Sequence, residues 1–287
     1  SIPELCLVGV FDQDPTTARD LVLPGEMACD SLRELFELSL DYCVIATPTM
    51  THCDIAHIAL NSGTAALIEK PLAGTHEEAA QLARQFDSAG VLGVVGHIER
   101  FNPAIRLLKE KLKEGSAGRV YQVSTRRHGP LPIRITDVGV IDDLMTHDVD
   151  IVRWLFDSDY ARVAAHSVTA IGQDTEDLVS VIGLLESGII ATHSTNWLSP
   201  AKERRTVVTA QEGTYVADTV AADLTFYANA HWTTEWEAMA AFRGVGEGDV
   251  TRFAVEKIEP LLTEHRQFIG LLAGDTSSSA TLEEAAK

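Results

Sequence analysis

The chain has 287 residues, 45% of them hydrophobic and 23% charged, with a formal charge of −19. So acidic a surface repels polyphosphate backbones and argues against nucleic acid as a partner. No apolar run is long enough to span a membrane as a helix, and no basic region ahead of an apolar stretch marks a secretory signal. The four cysteines, Cys6, Cys29, Cys43 and Cys53, form no C-x-x-C pair and read as reduced core thiols of a cytoplasmic protein.

In chain order, residues 5–11 form an apolar run that reads as a buried strand ending at Asp12. Residues 31–38 read as a helix capped by Asp30 or Ser31. A strand over 42–46 leads through Thr47-Pro48-Thr49 into a helix over 51–61. Residues 64–69 form the next strand and 75–89 the next helix, opened by the capping box Thr75-x-x-Glu78. A strand over 91–95 and a helix over 102–114 complete an alternation that predicts a Rossmann-type, doubly wound parallel sheet over residues 1–100. Beyond it, β-like segments at 119–127, 162–171, 178–186, 188–196, 204–211 and 213–218 predict a large, mostly antiparallel open sheet. One strong helix over 140–156 interrupts it, and late helices near 256–272 and 281 close the chain. Residues 101–287 are thus expected to form an α+β domain for substrate and oligomerisation.

Two clusters carry candidate chemistry. Glu69-Lys70-Pro71 places an amine where a strand ends and a proline fixes the backbone, a common position for a catalytic group in an open α/β sheet. Asp143, His147 and Asp150 fall at i, i+4 and i+7, opposite the apolar stripe Leu144, Ile151, Val152 and Leu155. By itself such a stripe is either solvent-facing or part of a site, and as a metal site it is incomplete.

The ordered pieces Val10-Phe11-Asp12-Gln13-Asp14-Pro15, Ala46-Thr47-Pro48-Thr49-x-Thr51-His52, Glu69-Lys70-Pro71-Leu72-Ala73 and Asp143-x-x-x-His147-x-x-Asp150 resemble the Gfo/Idh/MocA family of NAD(P)-dependent oxidoreductases. Gly96-His97-Ile98-Glu99-Arg100-Phe101-Asn102-Pro103, Arg126-Arg127-His128-Gly129-Pro130 and Asn196-Trp197-x-x-Pro200-x-Lys202 resemble its nucleotide-sugar branch, which includes UDP-N-acetylglucosamine 3-dehydrogenases. The family opens on a strand and a G-x-G-x-x-G turn that holds the dinucleotide pyrophosphate. No such turn precedes Asp12, and Gly244-x-Gly246-x-Gly248 has no strand leading into it; the terminal residues are expected to lie outside this sequence.

The resemblance implies hydride transfer from a secondary alcohol, which requires a base for the hydroxyl proton. Lys70 is assigned to the reacting hydroxyl and proton transfer. His147 is implied as proton acceptor or relay, and Asp143 as its partner or a sugar contact. Asp150 is either part of this site or structural. Asp12 is placed to accept both ribose hydroxyls, which favours NAD over NADP. Thr47, Pro48, Glu69 and Lys70 line the cofactor side, and His52 either joins them or is a solvent-exposed helix residue. A diphosphate needs cations: Arg100, Arg126 and Arg127 are the leading candidates, followed by Arg134, Lys202, Arg204 and Arg205, and Asn102 is a further substrate-binding candidate. Because Arg126 and Arg127 adjoin on a strand, at most one reaches a shared pocket. No metal is expected, and the open sheet suggests a homodimer or homotetramer. The expected substrate is a UDP-linked amino sugar; a free polyol such as myo-inositol, or a non-catalytic dinucleotide-binding regulator, are the alternatives.

Overall fold

A computed structural model describes residues 2–132, 138–171, 175–230, 246–275 and 278–287. The chain packs as two units, Ser1–His97 with Leu261–Lys287, and Ile98–Pro260. The last residues thus group with the first unit, whereas the sequence reading had placed them in the second.

The first unit opens with β1 (Gly9–Val10), α1 (Pro15–Leu21), β2 (Met27–Ala28) and α2 (Leu32–Phe36). β3 (Tyr42–Ile45), α3 (His52–Ser62), β4 (Ala65–Glu69), α4 (His76–Ala89) and β5 (Gly93–Gly96) follow. Thr75 caps α4, its hydroxyl accepting from Glu78 N at 3.2 Å. Ala79, Leu82, Ala83 and Phe86 recur at helical spacing and bury one face of α4. Gly90, at φ 65°, ends the helix in the left-handed conformation that glycine adopts without a Cβ clash.

In the second unit, α5 (Pro103–Glu114) leads to β6 (Val120–Pro130), a π turn over Ile141–Met145 and α6 (Thr146–Phe156). The strands are then β7 (Tyr160–Val168), β8 (Leu178–Leu185), β9 (Ile190–Asn196), β10 (Leu198–Ala210), β11 (Gly213–Asp218), β12 (Asp223–Ala230) and β13 (Gly246–Arg252). They form one eight-stranded sheet in the order β13-β12-β11-β10-β6-β9-β8-β7, and every pairing is antiparallel except β6 with β9. One face buries Val123, Ala191, Val208, Tyr215 and Leu224 against Ile105 and Leu108 of α5 and Ile151 and Leu155 of α6. Ile182, Ile190 and Tyr227 alternate with inward-facing residues on their strands and stand exposed on the other face.

The chain ends with α7 (Pro260–Leu272), β14 (Ala280–Thr281) and α8 (Leu282–Ala286). β14 joins the first unit's sheet in the order β14-β5-β4-β3, where β3, β4 and β5 run parallel. Ala66 and Ile68 of β4 pack with Ala59, Leu82 and Phe86 on one face, and Ala65 and Leu67 with Phe268 on the other. Burial on both faces explains why these strands read as unbroken apolar runs.

Several expectations need correction. The run 5–11 yields only β1, paired with β2 alone, and Leu7 and Val8 are exposed. Cys6 is likewise exposed and Cys53 half-buried, so only Cys29 and Cys43 are core thiols. Burial pushes the Cys43 thiol up to about 12. β12 and β13 extend the open sheet beyond the strands read from the sequence. Among the described residues, no helix is long and apolar enough to cross a membrane.

Candidate active site

The register Ile45↔Ile68↔Val95 aligns β3, β4 and β5. The Thr47-Pro48 and Lys70-Pro71 turns therefore leave the sheet at one carboxyl edge, where open α/β sheets bind their ligands. The Lys70–Pro71 peptide is cis. Glu69 lies opposite Gly96 in the register, and a Cβ at Gly96 would sit 3.1 Å from Glu69 Oε2. Burial raises the Glu69 pKa, while the Lys70 amide, the Lys70 ammonium and His52 pull it back.

His52 is buried, which settles the choice against a solvent-facing residue. Its Nδ1 lies 2.9 Å from the Pro71 carbonyl oxygen and its Nε2 2.8 Å from that of Thr47. It ties the lysine turn to the Thr47-Pro48 turn. The Thr51 hydroxyl reinforces the second turn, 2.8 Å from both Thr47 Oγ1 and the Pro48 carbonyl.

Asp12 follows β1, and its Oδ1 accepts from Asp14 N at 2.8 Å. Its Oδ2 has no protein donor among the described residues and suits a ribose diol. This acceptor fits the ribose diol of a dinucleotide. No glycine-rich turn for the pyrophosphate occurs among the described residues; Gly246 opens β13 in the second unit, and Gly244 lies outside them.

In the second unit His147 stands in the first turn of α6, partly exposed, and Asp143 lies in the preceding π turn. That wider turn breaks the uniform helical face expected for Asp143, His147 and Asp150, and such turns recur at functional sites. Asp150 is buried and takes a two-pronged grip from Arg100, with Nε at 2.8 Å from Oδ2 and Nη2 at 2.6 Å from Oδ1. Asp150 is therefore structural.

Two residues earlier on the helix, Asp148 Oδ1 accepts from Arg127 Nε at 2.9 Å, and Arg127 Nη1 donates to Glu99 Oε1 at 2.8 Å. Burial works against the Arg127 charge, but Asp148 and then Glu99 outweigh it and hold its pKa above the ordinary value. Sequence reasoning missed Glu99 and Asp148. Asp148 did leave a signal: it sits in the stripe Leu144, Asp148, Ile151, Leu155, and a carboxylate in an apolar stripe calls for a buried cation.

The expected substrate contacts are thereby corrected. Arg100 and Arg127 are committed to buried ion pairs. Asn102 caps α5 by accepting from Ala104 N at 3.1 Å and donates to the Thr219 carbonyl at 3.0 Å. Arg126 points to the opposite sheet face from Arg127, mostly exposed and 3.6 Å from Glu203. Arg205 shares Glu203 there, at 3.7 Å. Arg134 lies outside the described residues. Arg204, opposite Arg127 in the β6–β10 register, shares the helix-covered face.

A parallel sheet with a basic residue at its carboxyl edge is the architecture of a ligand-binding doubly wound α/β domain, and a helix-backed open sheet follows it in the chain. Residues 2–97 match the oxidoreductase family profile with an NAD-binding Rossmann fold, and residues 105–216 match the GFO/IDH/MocA C-terminal domain. The chain belongs to the Gfo/Idh/MocA family, whose first domain binds NAD. It is 32% identical over 187 residues to UDP-N-acetylglucosamine 3-dehydrogenase from Acidithiobacillus ferrooxidans, covering 64% of this chain and 58% of that protein. It is 30% identical over 175 residues to scyllo-inositol 2-dehydrogenase (NAD(+)) from Bacillus subtilis, covering 58% of this chain and 51% of that protein. The chain thus spans just over half the length of each. A solved structure of the Acidithiobacillus ferrooxidans enzyme superposes with a TM-score of 0.82 at 26% identity, covering 98% of this chain and 86% of that one.

Proposed function

We propose that the protein is an NAD-dependent dehydrogenase of a sugar secondary alcohol, acting on the 3-hydroxyl of a UDP-N-acetylhexosamine. The observation that carries the reading is Lys70 at the carboxyl end of β4, on the same sheet edge as the Thr47-Pro48 turn that His52 ties to it. Bound NAD supplies the acceptor for the carbinol hydride. Asp12 holds the adenosine ribose by its diol and disfavours a 2′-phosphate through like charge. Lys70 binds the reacting hydroxyl and takes its proton in the manner of general base catalysis, and His147 and Asp143 are the proton-handling candidates of the second unit. The exposed outer face of the eight-stranded sheet supports self-association as a dimer or tetramer.

A second reading, oxidation of a free polyol such as myo-inositol, is favoured by the likeness to the scyllo-inositol enzyme. Competition by free UDP separates the two. If UDP inhibits turnover competitively against the sugar substrate, the nucleotide-sugar reading stands. Turnover of inositol that UDP leaves untouched overturns it.

A further inference from the structure

Resting on the reading above that the substrate carries a diphosphate, the next question is which cation receives it. Among the candidate arginines described in the second unit, elimination narrows the choice. Arg100 and Arg127 are buried against Asp150 and against Glu99 with Asp148. Arg126 and Arg205 lie on the opposite face and share Glu203. Arg204 differs from all four. It forms no ion pair among the described residues, and only its Nη1 is engaged, donating to the backbone carbonyls of His128 at 2.6 Å and Glu203 at 3.0 Å.

Those two carbonyls anchor the guanidinium without neutralising it. Nε and Nη2 have no protein acceptor among the described residues and remain as a donor edge. The group is half-buried on the face that α6 covers, in register with Arg127. Burial, and next the Arg127 charge, lower its pKa; Asp148, Glu99 and Asp143 act in the other sense, which places Asp143 within its field. A planar fork held in place with a donor edge unfilled is suited to two oxygens of one phosphate, and little rotamer freedom is left to lose.

We infer that Arg204 is the substrate-anion contact of this protein, presenting Nε and Nη2 to the diphosphate of the nucleotide sugar.

The test is calorimetric titration of the NAD-saturated protein with UDP, inorganic pyrophosphate and uridine. Saturating NAD keeps the phosphates out of the cofactor site. The wild type should bind UDP more tightly than uridine. Arg204→Gln should weaken UDP roughly tenfold or more while leaving uridine within about twofold. Arg126→Gln, on the other face, should leave UDP affinity within about twofold. Pyrophosphate that tracks UDP assigns the contact to the phosphates alone.

Three results overturn the inference: UDP affinity unchanged in Arg204→Gln, an equal loss in Arg126→Gln, or no UDP binding by the wild type. If Arg204→Gln fails to fold, Arg204→Lys replaces it. That variant keeps the charge but loses the fork and should weaken UDP about threefold or more; unchanged affinity overturns the inference. Turnover separates this from the reading it rests on. Wild-type protein that binds UDP through Arg204 yet oxidises no UDP-sugar removes the activity and leaves the contact. UDP-sugar oxidation with unaltered UDP affinity in Arg204→Gln removes the contact and leaves the activity.

Discussion

Asp150→Ala should be among the most damaging single changes in the second unit. Both side chains of the Asp150–Arg100 pair are 4% exposed, and the guanidinium meets both carboxylate oxygens. Truncating Asp150 leaves Arg100 with its charge buried and its main acceptor gone. Breaking a buried pair this way costs about 3–5 kcal/mol, far above the roughly 0–1 kcal/mol of a surface pair such as Arg33–Glu37. For a unit of this size the loss corresponds to a Tm drop of about 6–20 °C. Differential scanning calorimetry with NAD added separates the second unit from the first, because ligand binding raises only the unit that carries the site. The double variant Arg100→Met/Asp150→Leu should recover most of the loss, since apolar groups of similar volume often replace a buried pair with little net cost. A drop below about 2 °C in Asp150→Ala, or a double variant as unstable as the single, would refute the reasoning.

Other expectations follow from single residues. His193 is wedged between Thr125 at 2.7 Å and Tyr160 at 2.6 Å, and burial takes its pKa down to about 4. Its contribution is present above the unfolded value near 6.5 and is lost as pH falls through 4. Stability should therefore decline by about 3 kcal/mol in that window, and denaturant titrations of His193→Gln should lose this slope. Lys70→Ala should lower kcat by about 10²–10⁴ while NAD affinity by calorimetry stays within a few-fold; a loss confined to KM would remove Lys70 from the chemistry. Asp12→Ser should raise the NADP-to-NAD ratio of kcat/KM by about tenfold, measured with saturating sugar, and an unchanged ratio would place the ribose elsewhere. His52→Leu should raise the NAD dissociation constant and lower kcat together, because it releases two turns at once.

Much of the fold was legible because its signals are local and repeated. Apolar runs such as Ala65-Ala66-Leu67-Ile68, alternating with capped amphipathic helices, mark parallel strands buried on both faces. β1 was over-read because an apolar run does not reveal whether it has neighbours to pair with, and Leu7 and Val8 remain outside the sheet. β12 and β13 were missed: β13 is an edge strand of the sheet, and β12, paired on both sides, is fully buried only at Leu224. The site was legible where chemistry and position coincide, as at Lys70 at a strand end. It was not legible where charge partners lie far apart in sequence. Arg100 and Asp150 are 50 residues apart, so the arginine looked available for a phosphate. The same holds for Arg127 with Asp148, 21 residues on. His52 could be placed only once Pro71, 19 residues away, closed over its ring.

The most direct test of the central claim is NADH absorbance when the protein is given NAD with UDP-N-acetylglucosamine, and separately with myo-inositol. The account predicts a signal with the UDP-sugar that is lost in Lys70→Ala and absent with inositol. Turnover of inositol alone, or UDP-sugar turnover that survives Lys70→Ala, would contradict it.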